Sequence, residues 1–480
     1  MLKVTLINPP QFTRYPQPPV GLALIAAVLE KERHQVTVLD ANALSLQPQD
    51  IVPLVTDADV VGLTAMTPTI SAAMSTAHHL KQANPSLTII LGGAHPTLLP
   101  DETLATAPEI DIIVRGEGEE TIIELLQALE DSRPLDNISG ISYRADGKII
   151  STAARAASID MDSLPFLAYH LLPWRRYKPH PPHGLALPFA AVVTSRGCPY
   201  RCAYCSKPVF GSKFRAQSPE RVVEEVAYLK EKFGIKEIAF YDDVFTLDKK
   251  RAYSIAEGII RKGVKISWTC EARVNLVDKD LLRCMKRAGC YAIAYGIESA
   301  SPEILDILHK DITLEQVAGA VRISREAGLQ TVGYLMIGSP GETPETIIKT
   351  IELAKKLKLD FAQFSVTTPF PSTELYKLYL QDRRGNIPWE SFVYSGTDSQ
   401  LAPVFESSQL SRSDLKYWTR RAYREFYLRP PYIWQRISQL RSIGDLRVNI
   451  QGLRLLLASI NEQKGERREH PVCPRSRLAQ

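Results

Sequence analysis

Two successive series of short apolar runs, each separated from the next by stretches of helical length, fill most of residues 1–366 and leave few folds open. In the first series Val4–Ile7, Val36–Leu39, Val60–Leu63, Leu87–Leu91 and Ile112–Val114 read as strands, with helices over Val20–Glu32, Ile70–Gln82 and Thr121–Leu129. This order predicts an open, doubly wound α/β sheet whose ligands sit in the loops at the carboxyl ends of the strands. In the second series the strands are Ala190–Thr194, Glu237–Tyr241, Lys265–Cys270, Ala292–Ile297, Gln330–Ile337 and Phe361–Val366. Helices over Pro219–Lys232, Lys249–Lys262, Lys279–Ala288, Pro302–Leu308, Leu314–Ala327 and Pro344–Lys356 separate them, so this part reads as a partial (β/α)6, TIM-like barrel. Between the series lie a hairpin, Ile138–Tyr143 and Lys148–Ser151 about Ala145-Asp-Gly147, and a proline-rich stretch over 160–188 that reads as an interdomain linker. The expected division is therefore a first domain at 1–135, hairpin and linker at 136–185, a barrel at 186–400 and a basic helical extension at 401–480.

Chemistry first shows in the run Arg196-Gly-Cys-Pro-Tyr-Arg-Cys-Ala-Tyr-Cys-Ser206. The apolar stretch Phe189–Thr194 reads as a buried parallel strand that delivers this loop at its carboxyl end. Its cysteines, Cys198, Cys202 and Cys205, have C-x3-C-x2-C spacing, and three thiolates leave a cubane iron–sulfur cluster one protein ligand short. The fourth iron is then open to something that reacts. A zinc site would want a fourth Cys or His at finger-like spacing, and His183 and Cys270 are poorly placed for it. A disulfide framework fits worse, since seven cysteines, an odd number with three crowded together, suit a reducing compartment. The run resembles the signature of the radical S-adenosylmethionine (SAM) enzymes, with Pro199 and Tyr204 part of the likeness. That resemblance implies a [4Fe–4S] cluster on the three cysteines, SAM chelating the open iron, and Tyr204 against adenine or the cluster.

No apolar stretch approaches the 18 or so residues that span a bilayer, and Met1–Asn8 is too short and too soon interrupted by Pro9-Pro10 for a signal peptide. A cytoplasmic protein is expected, with no nucleic-acid partner. The net charge of +5 is unevenly placed: residues 411–480 carry fifteen Lys and Arg against six Asp and Glu, whereas residues 1–410 carry 43 against 47. Within that basic tail Ile443, Leu446, Ile450, Leu453, Leu457 and Ile460 recur at helical spacing, so 443–460 is a candidate amphipathic helix. It suits either packing on the barrel or peripheral contact with an anionic membrane. The charged end after it, and Cys473 within it, read as a solvated terminus.

The loops after the first-domain strands are rich in small residues, and no G-x-G-x-x-G follows the first strand, which argues against a dinucleotide. Asn8-Pro9-Pro10, Pro19-x-Gly21-Leu, Gly92-Gly93-x-His95-Pro and Gly116-Glu117-Gly-Glu119 resemble the Rossmann-like cobalamin-binding domain that precedes the barrel in one large radical SAM class. The resemblance implies cobalamin contacts from Asn8, Pro10, Gly21, Thr64, Gly92, Gly93, His95 and Glu117. The D-x-H-x-x-G element that supplies an axial histidine elsewhere is absent, so no cobalt ligand is named; His34 and His95 are the nearby imidazoles, and both read more simply as a helix-end group and a loop hydrogen-bonder.

Barrel strand ends carry the remaining candidates. Asp242 and Asp243 suit the SAM amino group, with Asp243 also a candidate cap for the helix starting near Leu247. Arg273 suits the SAM carboxylate or a surface salt bridge. Glu298, at the end of an apolar strand, is costly to bury unpaired and suits SAM hydroxyl or amino donors. Gly338 resembles a position where the family's backbone approaches the adenosine. Cys270 ends a strand expected to point into the site, while Cys284 reads as a small core residue. Together the resemblances imply cobalamin-dependent radical SAM chemistry: an external one-electron reductant of flavodoxin or ferredoxin type, SAM cleavage to a 5′-deoxyadenosyl radical, and methylation of an unactivated carbon of a small-molecule or lipid substrate. The alternatives are a radical cyclase or oxidoreductase of the anaerobic tetrapyrrole type without methyl transfer, and a non-catalytic cobalamin or redox sensor.

Overall fold

The first sheet has seven strands, β1 (Lys3–Asn8), β2 (Gln35–Asp40), β3 (Val60–Thr64), β4 (Thr88–Gly92), β5 (Ile112–Val114), β6 (Ile141–Ala145) and β7 (Lys148–Ser151), in spatial order β2-β1-β3-β4-β5-β6-β7. The first five are parallel. Alternate residues feed two apolar layers: Val4, Leu6, Val60 and Ile90 pack with helices Val20–Lys31 and Glu119–Glu130, whereas Ile7, Val61, Leu63 and Ile89 pack with helix Ile70–Ala83. Strand order reverses at β1, so the loops after β1 and β3 diverge and open a crevice at their carboxyl ends. This computed structural model describes residues 1–438 apart from 12, 14, 157, 180–183, 185, 383–388, 393–405, 407 and 408. The stretch 443–460, the charged end after it, His183 and Cys473 lie outside the described residues.

Two expectations about the middle of the chain need correcting. The hairpin set apart at 136–151 continues the first sheet, because β6 pairs antiparallel with β5 and buries Ile141 and Tyr143 in its core. The proline-rich stretch is no loose linker: Leu167, Ala168, Tyr169, Leu172 and Tyr177 are all buried. Tyr169 bridges to the strand Phe189–Val192 of the second unit, its hydroxyl donating to Ala191 O at 2.9 Å and accepting from Ala191 N at 2.8 Å. Tyr177 donates to Asp40 at 2.9 Å, and Ala168 N to Ala23 O at 3.1 Å. Proline restricts the backbone here, while aromatic and aliphatic side chains between the prolines fill the seam between sheets.

In the second unit β8 (Phe189–Val192) is followed by a two-residue ladder, β9 (Ser195–Arg196) with β10 (Arg215–Ala216), and then by β11 (Glu237–Phe240), β12 (Ser267–Ala272), β13 (Cys290–Glu298), β14 (Gln330–Ile337) and β15 (Phe361–Val366). The six long strands form one parallel sheet in order β8-β11-β12-β13-β14-β15, open between its end strands. Polar caps set where five of the intervening helices begin: Ser218, Asp248, Asp278, Thr313 and Thr343 each accept a backbone N–H three residues on, worth about 1 kcal/mol apiece. Asp243 is thus not the cap; Asp248 is. The far edge is covered by helix Arg412–Tyr427, whose Tyr423 hydroxyl accepts from Phe364 N at 3.2 Å and whose Tyr427 donates to Ala362 O at 2.9 Å. Covering β15 this way leaves its edge unavailable for further strand pairing. No helix among the described residues is long and apolar enough to cross a membrane.

Candidate active site at the facing strand ends

The three-cysteine loop leaves the carboxyl end of β8 and is braced from both sides. Thr194 N and Oγ1 each donate to Asp242 at 2.6 Å, Ser195 Oγ donates to it at 2.7 Å, and Arg251 lies 3.8 Å away. Asp242 is buried and its lone pairs are committed to this brace, so the expectation that it meets SAM is set aside. Asp243, its neighbour, is solvent-facing and senses Lys207 and the cysteines; proximity to Asp242 and desolvation raise its pKa, desolvation foremost. Within the loop Lys207 Nζ donates to Cys198 O at 2.7 Å and to Tyr200 O, and Cys205 N to Cys202 O at 3.0 Å. All three thiols are free. Burial raises the Cys198 thiol, with Lys207 opposing.

Arg273, expected to grip a carboxylate, instead backs the loop. It is buried, its guanidinium lies 3.6 Å over the Tyr200 ring, Nη1 is 3.8 Å from Cys202 Sγ, and Nη2 donates to Lys310 O. Its Nε is buried with no hydrogen-bond partner among the described residues, and the side chain is turned away from the surface. Glu298 is likewise not unpaired: Oε1 accepts from Lys310 Nζ at 2.6 Å and from Tyr204 Oη at 2.8 Å, and Lys310 also donates to Tyr204 at 2.9 Å. Desolvation, and then the neighbouring Glu298, push the Tyr204 phenol far above its usual range. Lys310 has no sequence signal, since it falls in a loop twelve residues beyond its partner. Gly338 has φ +91°, which favours glycine, but a Cβ there would meet Leu415 at 2.6 Å. Leu415 of the helix Arg412–Tyr427 fills the space on the Cβ side of Gly338.

Cys270 was expected to point into the site, yet it is fully buried beside Cys290. Strand alternation turns its neighbour Glu271 inward instead. Tyr334 on β14 donates to Glu271 on β12 at 3.1 Å, reaching past β13, so both project into the barrel interior. Burial foremost, then Asp243 and Glu298, raises the Glu271 pKa.

On the first sheet, Asn8, Pro10, Thr64, Gly92 and Gly93 line the carboxyl ends of β1, β3 and β4, and Gly21 opens the helix after β1, with nothing within 4 Å of where a Cβ would stand. Gly93 is required by its backbone: φ is +107° and a Cβ would lie 2.6 Å from Ala65 O. Asn8 Nδ2 donates to Asp40 at 2.8 Å. His95 is buried, 3.3 Å from Thr67 Oγ1, and burial lowers its pKa to about 4, so it is a neutral loop brace. His34 accepts from Leu2 N at 3.3 Å near the opposite strand ends. Glu117 is not in the crevice. It pairs with Arg196 at 2.5 Å and with Arg215, while Glu119 takes the second Arg196 nitrogen at 2.5 Å. A second tie joins the two units, Tyr241 Oη donating to Gln17 Oε1 at 2.6 Å. Since Tyr241 follows β11 and Gln17 lies between β1 and its helix, the barrel mouth faces the crevice edge of the first sheet.

A cubane takes one thiolate on each of three irons, and Cys198, Cys202 and Cys205 stand together on one loop with none of them in a disulfide. The free thiols, the committed Lys207 and the orphaned Arg273 Nε behind Cys202 fit a sulfur-rich anionic cluster. Comparison with known proteins assigns a family to part of each unit. A sequence model of the radical SAM superfamily matches residues 192–354, and one of the B12 binding domain matches residues 13–126. The chain is 38% identical over 440 residues to an uncharacterized methyltransferase of Pyrococcus horikoshii, covering 90% of this chain and 93% of that one. It is 29% identical over 426 residues to the anaerobic magnesium-protoporphyrin IX monomethyl ester cyclase of Rubrivivax gelatinosus, covering 87% and 75%. In fold it is similar to the radical SAM methyltransferase TsrM of Kitasatospora setae, solved with cobalamin and a [4Fe–4S] cluster, with TM-score 0.70, 18% identity and 89% of each chain covered.

Proposed function

This chain belongs to the radical SAM enzymes that carry an N-terminal B12-binding domain, and from that premise we propose that it methylates an unactivated carbon of a small-molecule or lipid substrate. The observation that carries the reading is the juxtaposition of a three-thiol loop at the barrel mouth with the crevice edge of the first sheet, tied directly by Gln17 and Tyr241. Methyl transfer is preferred to cyclisation because the relative named a methyltransferase is the more similar of the two.

When bound, the cluster with SAM supplies a 5′-deoxyadenosyl radical and cobalamin supplies the methyl group. Cys198, Cys202 and Cys205 would hold three irons, and Arg273, stacked on Tyr200, would orient the Cys202 sulfur. Asp243 is the acid free to receive the SAM ammonium. Tyr204, Glu298 and Lys310 form a locked hydrogen-bonded set, and the acceptor capacity left on Glu298 would suit ribose hydroxyls. Glu271, with its raised pKa, holds a proton more tightly than an ordinary carboxyl and, with Tyr334, would orient a polar group of the substrate. Asn8, Pro10, Thr64, Gly92 and Gly93 would offer close backbone approach to the corrin. The buried seam between the sheets excludes water that would quench a carbon radical.

An external one-electron reductant of flavodoxin or ferredoxin type, a cytoplasmic setting and peripheral membrane contact through the basic C-terminal region complete the reading. Exposed Ile433, Trp434 and Ile437 on helix Pro430–Ser438 support the last of these. The test is anaerobic turnover with methyl-labelled SAM. Label in the product is expected; an unlabelled, newly cyclised or oxidised product would move the assignment to the cyclase class. 5′-Deoxyadenosine formation abolished by Cys202→Ala is expected, and its persistence would remove the cluster from this loop.

A further inference from the structure

We propose that Glu117 and Glu119 of the first domain are positioning residues for the cluster-bearing loop of the barrel, acting through Arg196. One guanidinium is shared between two carboxylates of the other domain: Arg196 Nη1 lies 2.5 Å from Glu117 Oε2 and Nη2 lies 2.5 Å from Glu119 Oε1. Arg215, directly across the β9–β10 ladder from Arg196, grips both oxygens of Glu117. The side chains of all four residues are between 5% and 11% exposed, and Glu119 Oε2 and Arg215 Nε are buried with no hydrogen-bond partner. Two arginines meet two glutamates, so the cluster of charges is formally neutral.

Gluing two domains together does not call for this. Four charges are expensive to bury, and an apolar patch of the same size would hold as well or better. What an array of forked hydrogen bonds adds is direction, since each nitrogen must meet its oxygen within a few tenths of an ångström. The direction is delivered to a particular place. Arg196 is two residues before Cys198, and between them Gly197 leaves no slack: φ is +82° and a Cβ would stand 2.2 Å from Lys213 O. Immediately upstream, Thr194 and Ser195 are held by Asp242 and Arg251 of the barrel. The segment entering the first cluster cysteine is therefore fixed from the barrel by one set of charges and from the first domain by another. The helix Glu119–Glu130 that carries Glu119 begins in the loop after β5, in the sheet whose neighbouring strand ends form the crevice.

The consequence is that, within the frame held by the packed connector, these four side chains fix where the entry to the first cluster cysteine stands relative to the first-domain crevice, beyond what the separate binding of either cofactor requires. The test uses the full chain reconstituted with iron, sulfide and hydroxocobalamin, comparing wild type with Arg196→Lys, which keeps the charge and loses the fork. Three quantities are read: cobalamin retained, the electron paramagnetic resonance spectrum and reduction midpoint of the reduced cluster, and 5′-deoxyadenosine formed per cluster. The expected result is retained cobalamin with an altered spectrum and midpoint, and a fall of roughly 10- to 100-fold in 5′-deoxyadenosine per cluster, the scale of a misplacement near 1 Å. A folded Arg196→Lys protein whose spectrum, midpoint and yield match wild type overturns the proposal. If that variant does not fold, Glu119→Gln, which leaves both arginines paired to Glu117, decides by the same readings. The proposal rests on the cluster lying at Cys198, Cys202 and Cys205; iron retained undiminished in Cys202→Ala would defeat that assignment, whereas a lost cluster there with an unaltered Arg196→Lys would defeat the clamp alone.

Discussion

Glu342→Gln should make the protein more resistant to unfolding at pH 8 than at pH 5, relative to wild type, and the size of the change follows from the site. Glu342 is 1% exposed; Oε2 accepts Gly338 N at 2.5 Å and Ser339 N at 3.1 Å, while Oε1 is buried with no hydrogen-bond partner. Burial outweighs the two backbone donors and raises the pKa from 4.5 to about 7. A carboxyl raised in the folded state favours folding in its protonated form, so its stabilising contribution is full below about pH 4.5 and is lost as pH rises through about 7. Linkage puts the loss at about 1 kcal/mol at pH 5 and about 3 kcal/mol at pH 8. Glutamine keeps an oxygen for the two N–H groups and cannot ionise. Its buried amide carries a cost of its own, but that cost does not depend on pH and cancels when the two conditions are compared. Denaturant midpoints of both proteins at pH 5, 6, 7 and 8 measure the difference. Parallel curves across that range would refute the account of Glu342 as a carboxyl held largely protonated below neutrality.

Lys310→Met should cost about 3–5 kcal/mol of stability by leaving Glu298 buried without its cation, and Glu298→Gln in the same background should restore much of it, as thermal melts would show. Gly93→Ala forces a side chain into a left-handed backbone and onto Ala65 O, so cobalamin retention should fall at a cost of about 1–3 kcal/mol, measured by absorbance after gel filtration. Co-sedimentation with anionic vesicles should drop on removal of residues 439–480 and again on Trp434→Ala; unchanged pelleting would dismiss the membrane contact.

Local pattern carried the architecture. The long parallel strands were visible as apolar runs because such strands are buried on both faces, whereas the caps Ser218, Asp248, Asp278, Thr313 and Thr343 were not picked out, and Asp243 stood in the place of Asp248. What escaped was everything set by partners distant in sequence. Glu117 looked like a crevice residue because its motif sits in a crevice loop, yet its arginines are 79 and 98 residues away. Glu298 was correctly flagged as needing a partner, but nothing in the pattern pointed to Lys310. Cys270 was mistaken for its neighbour Glu271 because a one-residue error in strand register exchanges the two faces. The hairpin at 141–151 was legible as a hairpin, but edge pairing to β5 leaves no local mark.

The tyrosine-bearing connector between the sheets has a mechanical meaning. Tyr169 and Tyr177, with the leucines around them, make one apolar body run from Val4 of the first sheet through to the barrel helices. Swinging the two halves apart would tear that body open, so catalysis here cannot rely on a jaw. The two halves then hold a fixed gap between them, and a calorimetric scan should find them melting as one.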